Sequence, residues 1–283
     1  MPSLKDIRRR IRSVKSTQQI TRAMKMVAAA KLRKAQERLH ATDAYVKGLD
    51  DLRRNLVRRV GPDAHPFFRR PEGERTLVLL ITGDRGLCGS YNSAILARAD
   101  KLLAERGSGD LSFLLAGKKG VDHFAKTPIE LLAAYPNVFV KLDALPTGAM
   151  AEAARDAFLS GQVQRVVALS SRFRSTATFP VELTPILPME AEEKDADAAA
   201  DYLCEPSMAE ILNELLPRTL SVGIHRLMLE ANAAEQAARM AAMELATKNA
   251  DDMIDSLTLY YNRARQASIT KELIEIVSGA QAQ

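Results

Sequence analysis

Cysteine is nearly absent from this sequence. Cys88 and Cys204 are the only two in 283 residues, stand far apart and form no CxxC pair. Neither a disulfide framework nor a thiolate metal site is indicated, which leaves two reduced thiols. Histidine is also sparse: His40, His65, His123 and His225 show no i, i+4 pairing, and no GxSxG, HExxH or complete EF-hand loop occurs. The segment "DADAAAD" at 195–201 alternates side-chain oxygens but lacks the glycine and terminal glutamate of a calcium loop, and reads as a solvated acidic loop. No run reaches the ~18 apolar residues that a membrane span requires. The N-terminal "MPSLKDIRRRIRSVK" alternates charge with aliphatic residues and has no apolar secretory core. The expectation is a soluble, cytoplasmic-type chain that is not an enzyme by itself.

What is present is ordinary globular composition, 47% hydrophobic and 27% charged, enough for one or two domains. A net charge of +5 and a pI near 9.2 point to an acidic partner: nucleic acid, a membrane surface or an acidic protein face. Glycine and proline are scarce at both ends. From Leu4, apolar or small residues recur in alternating steps of three and four through Ile7, Ile11, Val14, Gln18, Thr21, Lys25, Ala28, Leu32, Ala35, Leu39, Thr42, Val46 and Leu49. This heptad repeat predicts one helix that stops before "GPDAHP" and reaches roughly 80 Å at ~1.5 Å per residue. After Pro217 the spacing returns at Ile224, Leu227, Ala231, Ala234, Ala238, Ala241 and Leu245. It then resumes one residue late at Met253, Leu257, Tyr260, Ala264, Ala267, Lys271 and Ile274. Two such helices most economically bury their seams against each other, and the many alanines imply a thin, closely packed pair.

Between them lies an α/β pattern. "TLVLLIT" (76–82), "LSFLLAG" (111–117) and "RVVALSS" (165–171) read as buried strands, separated by helices expected at 93–106, 118–126 and 149–158. "TFPVELTPILP" fits an edge strand, where its prolines are tolerated. The glycine-rich "ITGDRGLCGSYNSAIL" (81–96) follows the first strand as a nucleotide-binding loop would. Its spacing is GxxGxxG, however, no acidic residue follows the second strand, and "SFLLAGKKG" fails the P-loop pattern at both ends. The loop therefore reads as a strand-to-helix turn with Asn92 or Ser93 capping the next helix, and no cofactor is expected. The first helix carries most of the surplus positive charge, and Ile20, Met24, Met26 and Val27 form a second apolar stripe that wants another partner.

At the level of whole motifs, "ITRAMKMVAAAKLRKAQ", "DRGLCGSYN", "EQAARMAAMELATKNA" and "YNRARQASITKELIEIVSGA" closely resemble, in order, the gamma subunit of F-type ATP synthases, of the bacterial type. The implied fold is α/β: a long antiparallel coiled coil of N- and C-terminal helices (residues 1–60 and 206–283) plus a small Rossmann-like α/β foot domain (61–205). The resemblance implies a non-catalytic central rotor shaft at the cytoplasmic face of the inner membrane. It would transmit torque between a proton-driven c-ring and the beta subunits, with alpha, beta, epsilon and the c-ring as partners, no nucleic acid and no membrane insertion. It implies that Arg265 and Gln266, with Thr270 and Glu272 nearby, contact a beta loop, and that Met24 passes the acidic lever of beta. Glu235 and Arg239 match a polar pair facing the first helix, Cys204 and Glu205 the c-ring contact, and "IEIVSGAQAQ" an apolar tip in a sleeve. The inserted cysteine pair of plant-type relatives is missing, so thiol regulation is not expected. Other classes are a coiled-coil protein using its basic helix on phosphates, and an oxidoreductase using the central sheet.

Overall fold

The structure, a computed structural model, describes residues 3–140, 142, 145–190 and 204–281. The acidic stretch 191–203, with its would-be calcium loop, lies outside the described residues. The heptad-bearing ends form α1 (Leu4–Val60) and α5 (Met208–Gln281). Between them lie β1 (Thr76–Ile81), α2 (Tyr91–Arg106), β2 (Leu111–Ala116), α3 (Lys118–Phe124), β3 (Glu130–Tyr135), α4 (Thr147–Leu159), β4 (Arg165–Ser171) and β5 (Val181–Leu187). The chain divides into two compact units. One comprises the residues up to Ala29 together with those from Arg239 onward, and the other is Ala30–Ala238.

The larger unit is built on a five-stranded sheet of order β3-β2-β1-β4-β5, parallel except for the antiparallel edge strand β5. β1 and β2 are buried along their whole length, which is why they read as unbroken apolar runs: both faces of the sheet are covered. Side chains alternate between two cores. Leu77, Leu79 and Ile81 join Met150, Ala154 and Phe158 of α4 with Leu216, Leu220 and Met228 of α5. Val78 and Leu80 join Ile95 and Ala99 of α2, Phe113, and Ala234 and Ala238 of α5. One stretch of α5 thus contributes to both cores.

Strand β3 has no counterpart among the sequence expectations. Its "ELLAAY" is rich in leucine and alanine, only half buried, and bounded by Pro128 and Pro136, so it carries neither clean alternation nor a buried run. The cap of α2 also differs. Ser90 precedes the first turn without a side-chain cap, while Asn92 turns back to the loop: its Oδ1 accepts the Gly83 N–H at 2.8 Å and its Nδ2 donates to the Arg85 carbonyl.

In the smaller unit, α1 and α5 run antiparallel. Arg8 donates to the Tyr261 hydroxyl at 2.6 Å and its guanidinium lies over the ring, Gln18 donates to Asp251, the Thr21 and Thr247 hydroxyls are 2.8 Å apart, and Lys25 pairs with Glu244 at 2.6 Å. Every heptad position predicted on α1 is buried or half-buried. On α5 the expected phase needs correction. Ala241, Leu245, Met253, Tyr260, Ala267, Lys271 and Ile274 face outward, and the inner face is carried by Met243, Thr247, Ala250, Ile254, Leu257, Tyr261, Ala264 and Ser268. The slip falls just after Ala238 rather than after Leu245. Leu257 and Ala264 of the expected seam do face inward, but Thr247, Ala250 and Ser268 alternate with the apolar residues there, and tracking large apolar side chains alone shifted the other positions outward.

His65 sits between two short 3₁₀ turns, where its Nδ1 accepts the Phe67 N–H at 3.1 Å. Burial, with charge repulsion from Arg69, holds its pKa below the ordinary 6.5. Burial and Arg38 act likewise on His225. Each is neutral in the folded chain and takes up a proton more readily when unfolded. Their stabilisation is therefore complete above pH 6.5 and declines as pH falls from there toward the folded-state values. His65→Asn, whose amide oxygen can still accept the Phe67 N–H, is expected to lose less melting temperature than the parent between about pH 7 and 5. Melting curves at several pH values check this.

Candidate functional site

The turn after β1 occupies the position where a doubly wound sheet binds ligands, beside the point at which strand order reverses between β1 and β4. The chain uses that place for itself. The Asp84 carboxylate accepts the N–H of Lys118 at 2.9 Å and of Phe139 at 2.8 Å. The Thr82 hydroxyl oxygen accepts the Gly120 N–H at 2.8 Å, and the Gly83 carbonyl accepts that of Lys119 at 3.1 Å. The first amides of α3 are thereby all engaged by the turn. A Cβ on Gly83 would stand 3.0 Å from the Glu235 carboxyl and 3.1 Å from Asn92 Oδ1, so the space a pyrophosphate needs beside this glycine is filled by α5. Among the described residues no cluster of potential metal ligands occurs. The turn is a joint between sheet and helix.

The unabsorbed chemistry lies on the outside of the smaller unit. Ile20, Met26 and Val27 of α1 are each more than half exposed, as are Leu245, Met253, Leu259, Leu273, Ile274, Ile276 and Val277 of α5. In the antiparallel register set by Arg8–Tyr261 and Lys25–Glu244, α5 runs on for roughly fifteen residues, ~22 Å, beyond the first described residue of α1. Leu273, Ile274, Ile276 and Val277 stand on this overhang and form one broad stripe, about 160° wide, along the helix.

The residues singled out from sequence are dispersed rather than gathered. Met24 is half-buried on α1, next to the exposed stripe. Arg265, Gln266 and Thr270 are exposed on α5, and Glu272, also exposed, accepts a hydrogen bond from Ser268 at 3.2 Å. Glu235 is 3% exposed against the β1 turn, and Arg239 is half-buried four residues further on. Cys204 packs on the first core while Glu205 is exposed. Sequence reasoning passed over Asp84, Tyr91, Arg172 and Glu230, which bind the larger unit together. Only Asp84, next to a glycine at a strand end, carried a local signal.

A family model described as ATP synthase matches residues 3–283. The ATP synthase gamma chain of Chlorobium limicola is 44% identical over 288 residues, covering 100% of this chain and 99% of that one. The chain belongs to the ATP synthase gamma-chain family. The gamma chain of Chlorobaculum tepidum is 46% identical over 289 residues with the same coverage. Among solved structures, a chain of the Euglena gracilis mitochondrial ATP synthase (OSCP/F1/c-ring, rotational state 3) superposes with a TM-score of 0.70 at 19% identity, covering 99% of this chain and 94% of that one. A chain of the Tetrahymena thermophila mitochondrial ATP synthase central stalk and c-ring gives 0.60 at 23% identity, covering 80% and 99%. At such identities the likeness shows the shared fold. No helix among the described residues is long and apolar enough to cross a membrane.

Crowding at the β1 turn gives a direct test of the joint. Gly83→Ala is expected to destabilise the chain by about 1–3 kcal/mol, read as a lower denaturation midpoint. Adding Glu235→Ala should relieve part of that loss, giving a non-additive double-mutant cycle.

Proposed function

We infer that this chain is the central-stalk rotor subunit of an F-type ATP synthase, a non-catalytic shaft peripheral to the membrane. In it, the two-helix unit stands within a ring of alpha and beta subunits and the α/β unit meets epsilon and the c-ring. Full-length kinship with gamma chains carries the assignment. The surface of the smaller unit supports it independently. A single helix of about 12–15 residues is marginal in water, and an exposed apolar stripe along it wants a covering partner. The overhang at 267–281 carries such a stripe at Leu273, Ile274, Ile276 and Val277, with Lys271 and Glu272 on the other side, and so has the character of a helix with apolar surroundings along that stripe. Apolar side chains suit a bearing, because a desolvated ion pair would have to be broken at every step of a turn.

The outer face differs from one side to the other. Arg9 and Arg12 are exposed on α1 below the Ile20 and Val27 stripe, while Asp252 and Asp255 are exposed on α5. A ring of three identical beta subunits meeting such a shaft meets three different faces. Each face stabilises one beta conformation over another, and ~1.4 kcal/mol of difference shifts a tenfold population. Rotation then orders the affinity changes at sites the shaft itself does not contain. On this account Met24, Arg265, Gln266, Thr270 and Glu272 are the beta-facing contacts, Glu235 and Arg239 stiffen the shaft, and Cys204 and Glu205 belong to the c-ring end. Protons are the ion this assignment gives to the ring, and the inner membrane its place.

Reconstitution with the alpha and beta subunits tests the assignment: the chain should copurify with them and raise ATP hydrolysis well above that of alpha and beta alone. A chain that neither copurifies nor stimulates is not a rotor. Within an active assembly, replacing Ile274, Ile276 and Val277 together by lysine should lower turnover several-fold if the tip is a bearing. Unchanged turnover would refute the sleeve.

A further inference from the structure

Within the larger unit, ten residues of α5 are held from several directions by polar contacts that neither the apolar core nor the proposed partner contacts require. Arg226 Nε donates to Asp43 of α1 at 3.0 Å, and its Nη1 lies 3.0 Å from Glu230. Glu230, whose side chain is almost fully buried, also accepts from Arg172 at the end of β4, at 3.1 Å from Nε and 3.3 Å from Nη2. The Glu230 hydrogen bond raises the Arg172 pKa above its ordinary value, so the guanidinium stays charged. Arg172 also reaches Glu182 of β5 at 4.0 Å. One residue further along α5, the carbonyl of Ala231 accepts the hydroxyl of the buried Tyr91 at 3.0 Å. A turn beyond, Glu235 is wedged against Gly83.

Beyond the buried Leu227, Met228 and Leu229, the packing these contacts accompany becomes smooth. Ala231, Ala233, Ala234, Ala237 and Ala238 are all buried, and alanine offers no knob to lodge in a neighbour's hole. Close packing of this kind resists separation well but resists rolling of a helix about its own axis poorly, since few side-chain contacts must be exchanged. Directional bonds supply what the alanines lack. At 100° per residue, Glu230 and Glu235 are separated by about 140° around the helix, so the contacts act as two jaws on different sides. On one are Asp43 and Arg172; on the other are Tyr91 and Gly83.

We propose that Arg226–Glu235 is a torsional clamp, in which Asp43, Arg172, Tyr91 and the Gly83 turn fix the azimuth of α5 relative to the α/β sheet. Arg172, Glu230 and Tyr91 are then positioning residues for torque transfer. This rests on the rotor assignment above and adds to it the place where twist passes between helix and sheet. None of these residues touches a nucleotide or a partner subunit in that assignment. Their loss alters stiffness rather than chemistry.

The experiment uses the assembled alpha–beta–gamma complex, with the head immobilised and a probe on the α/β unit, and records the angular variance at a nucleotide-bound pause together with ATP turnover. If the four holds act as equal parallel springs, removing one widens the variance about 1.3-fold. Arg172→Met should show at least that increase with ATP turnover unchanged, Arg172→Lys should return most of the way to the parent, and Tyr91→Phe should show the increase without any change of charge. Arg174→Met removes an exposed pair with Glu182 that does not reach α5, and should leave the variance alone. Parental variance in both Arg172→Met and Tyr91→Phe, or an equal rise in Arg174→Met, overturns the clamp. If Arg172→Met fails to assemble, Tyr91→Phe decides alone. A parent chain that does not rotate overturns the rotor assignment, and the clamp with it.

Discussion

The close approach of α5 to the sheet is the constraint on which the rest of the larger unit depends. Met228 and Ala231 belong to one core and Ala234 and Ala238 to the other, so a single stretch of helix completes the apolar layer on both faces. A larger residue at these alanines would push the helix off one core in order to serve the other, and in a close-packed interior even one extra methylene is felt. Small side chains make the double contact possible. They also reduce the interlocking that holds a helix in register, which beyond Leu227, Met228 and Leu229 is slight, and the polar bonds from Asp43, Arg172 and Tyr91 add directional holds there. Burying Glu230 is tolerable on the same terms, because two guanidinium groups meet its carboxylate.

In the smaller unit the usual distribution of polarity is partly reversed. Between the helices a threonine pair, a glutamine–aspartate contact and a lysine–glutamate pair interrupt an apolar seam that includes Ile7, Met243, Ile254 and Leu257, while many leucine, isoleucine, methionine and valine side chains face outward. Fully burying one such side chain is worth about 1.5–3 kcal/mol, so the outer surface forgoes more stabilisation than the polar contacts, largely solvent-exposed, can return. A two-helix unit of this kind makes physical sense when its surroundings supply the missing apolar contacts. The rotor assignment provides such surroundings, which a freely solvated coiled coil or a phosphate-binding basic helix does not.

Much of the fold was legible because its strongest signals were periodic. The α1 heptads fell on the buried face at every predicted position, and β1, β2 and β4 appeared as apolar runs because helices cover both faces of the sheet. Legibility ended where small or ambiguous side chains took over. β3 is an edge strand written in leucine and alanine, and in the distal seam of α5 Thr247, Ala250 and Ser268 alternate with Ile254 and Leu257 while many other large apolar residues face away. Residues at the proposed beta contacts carry no chemical signature of their own: Arg265, Gln266 and Thr270 are exposed polar side chains on a helix, informative only through kinship. The bonds from Arg172, Glu230 and Tyr91 were illegible for a further reason, since each joins residues 58 or 140 positions apart.

The turn after β1 shows how a fold can keep the geometry of a ligand site without the chemistry. Strand order, the glycine at the strand end and the helix that follows are those of a doubly wound nucleotide binder, and such a turn normally leaves amide donors free for phosphate. Here each donor of the neighbouring α3 terminus meets an oxygen of the turn itself, and the carboxyl of Glu235 fills the remaining space beside Gly83. An exchangeable ligand at this point would loosen the joint whenever it left. Covalently supplied oxygens from Thr82, Asp84 and Glu235 never leave, so what the turn gives up in binding it gains in permanence, a condition that a part carrying twist between helix and sheet must satisfy at every angle of rotation.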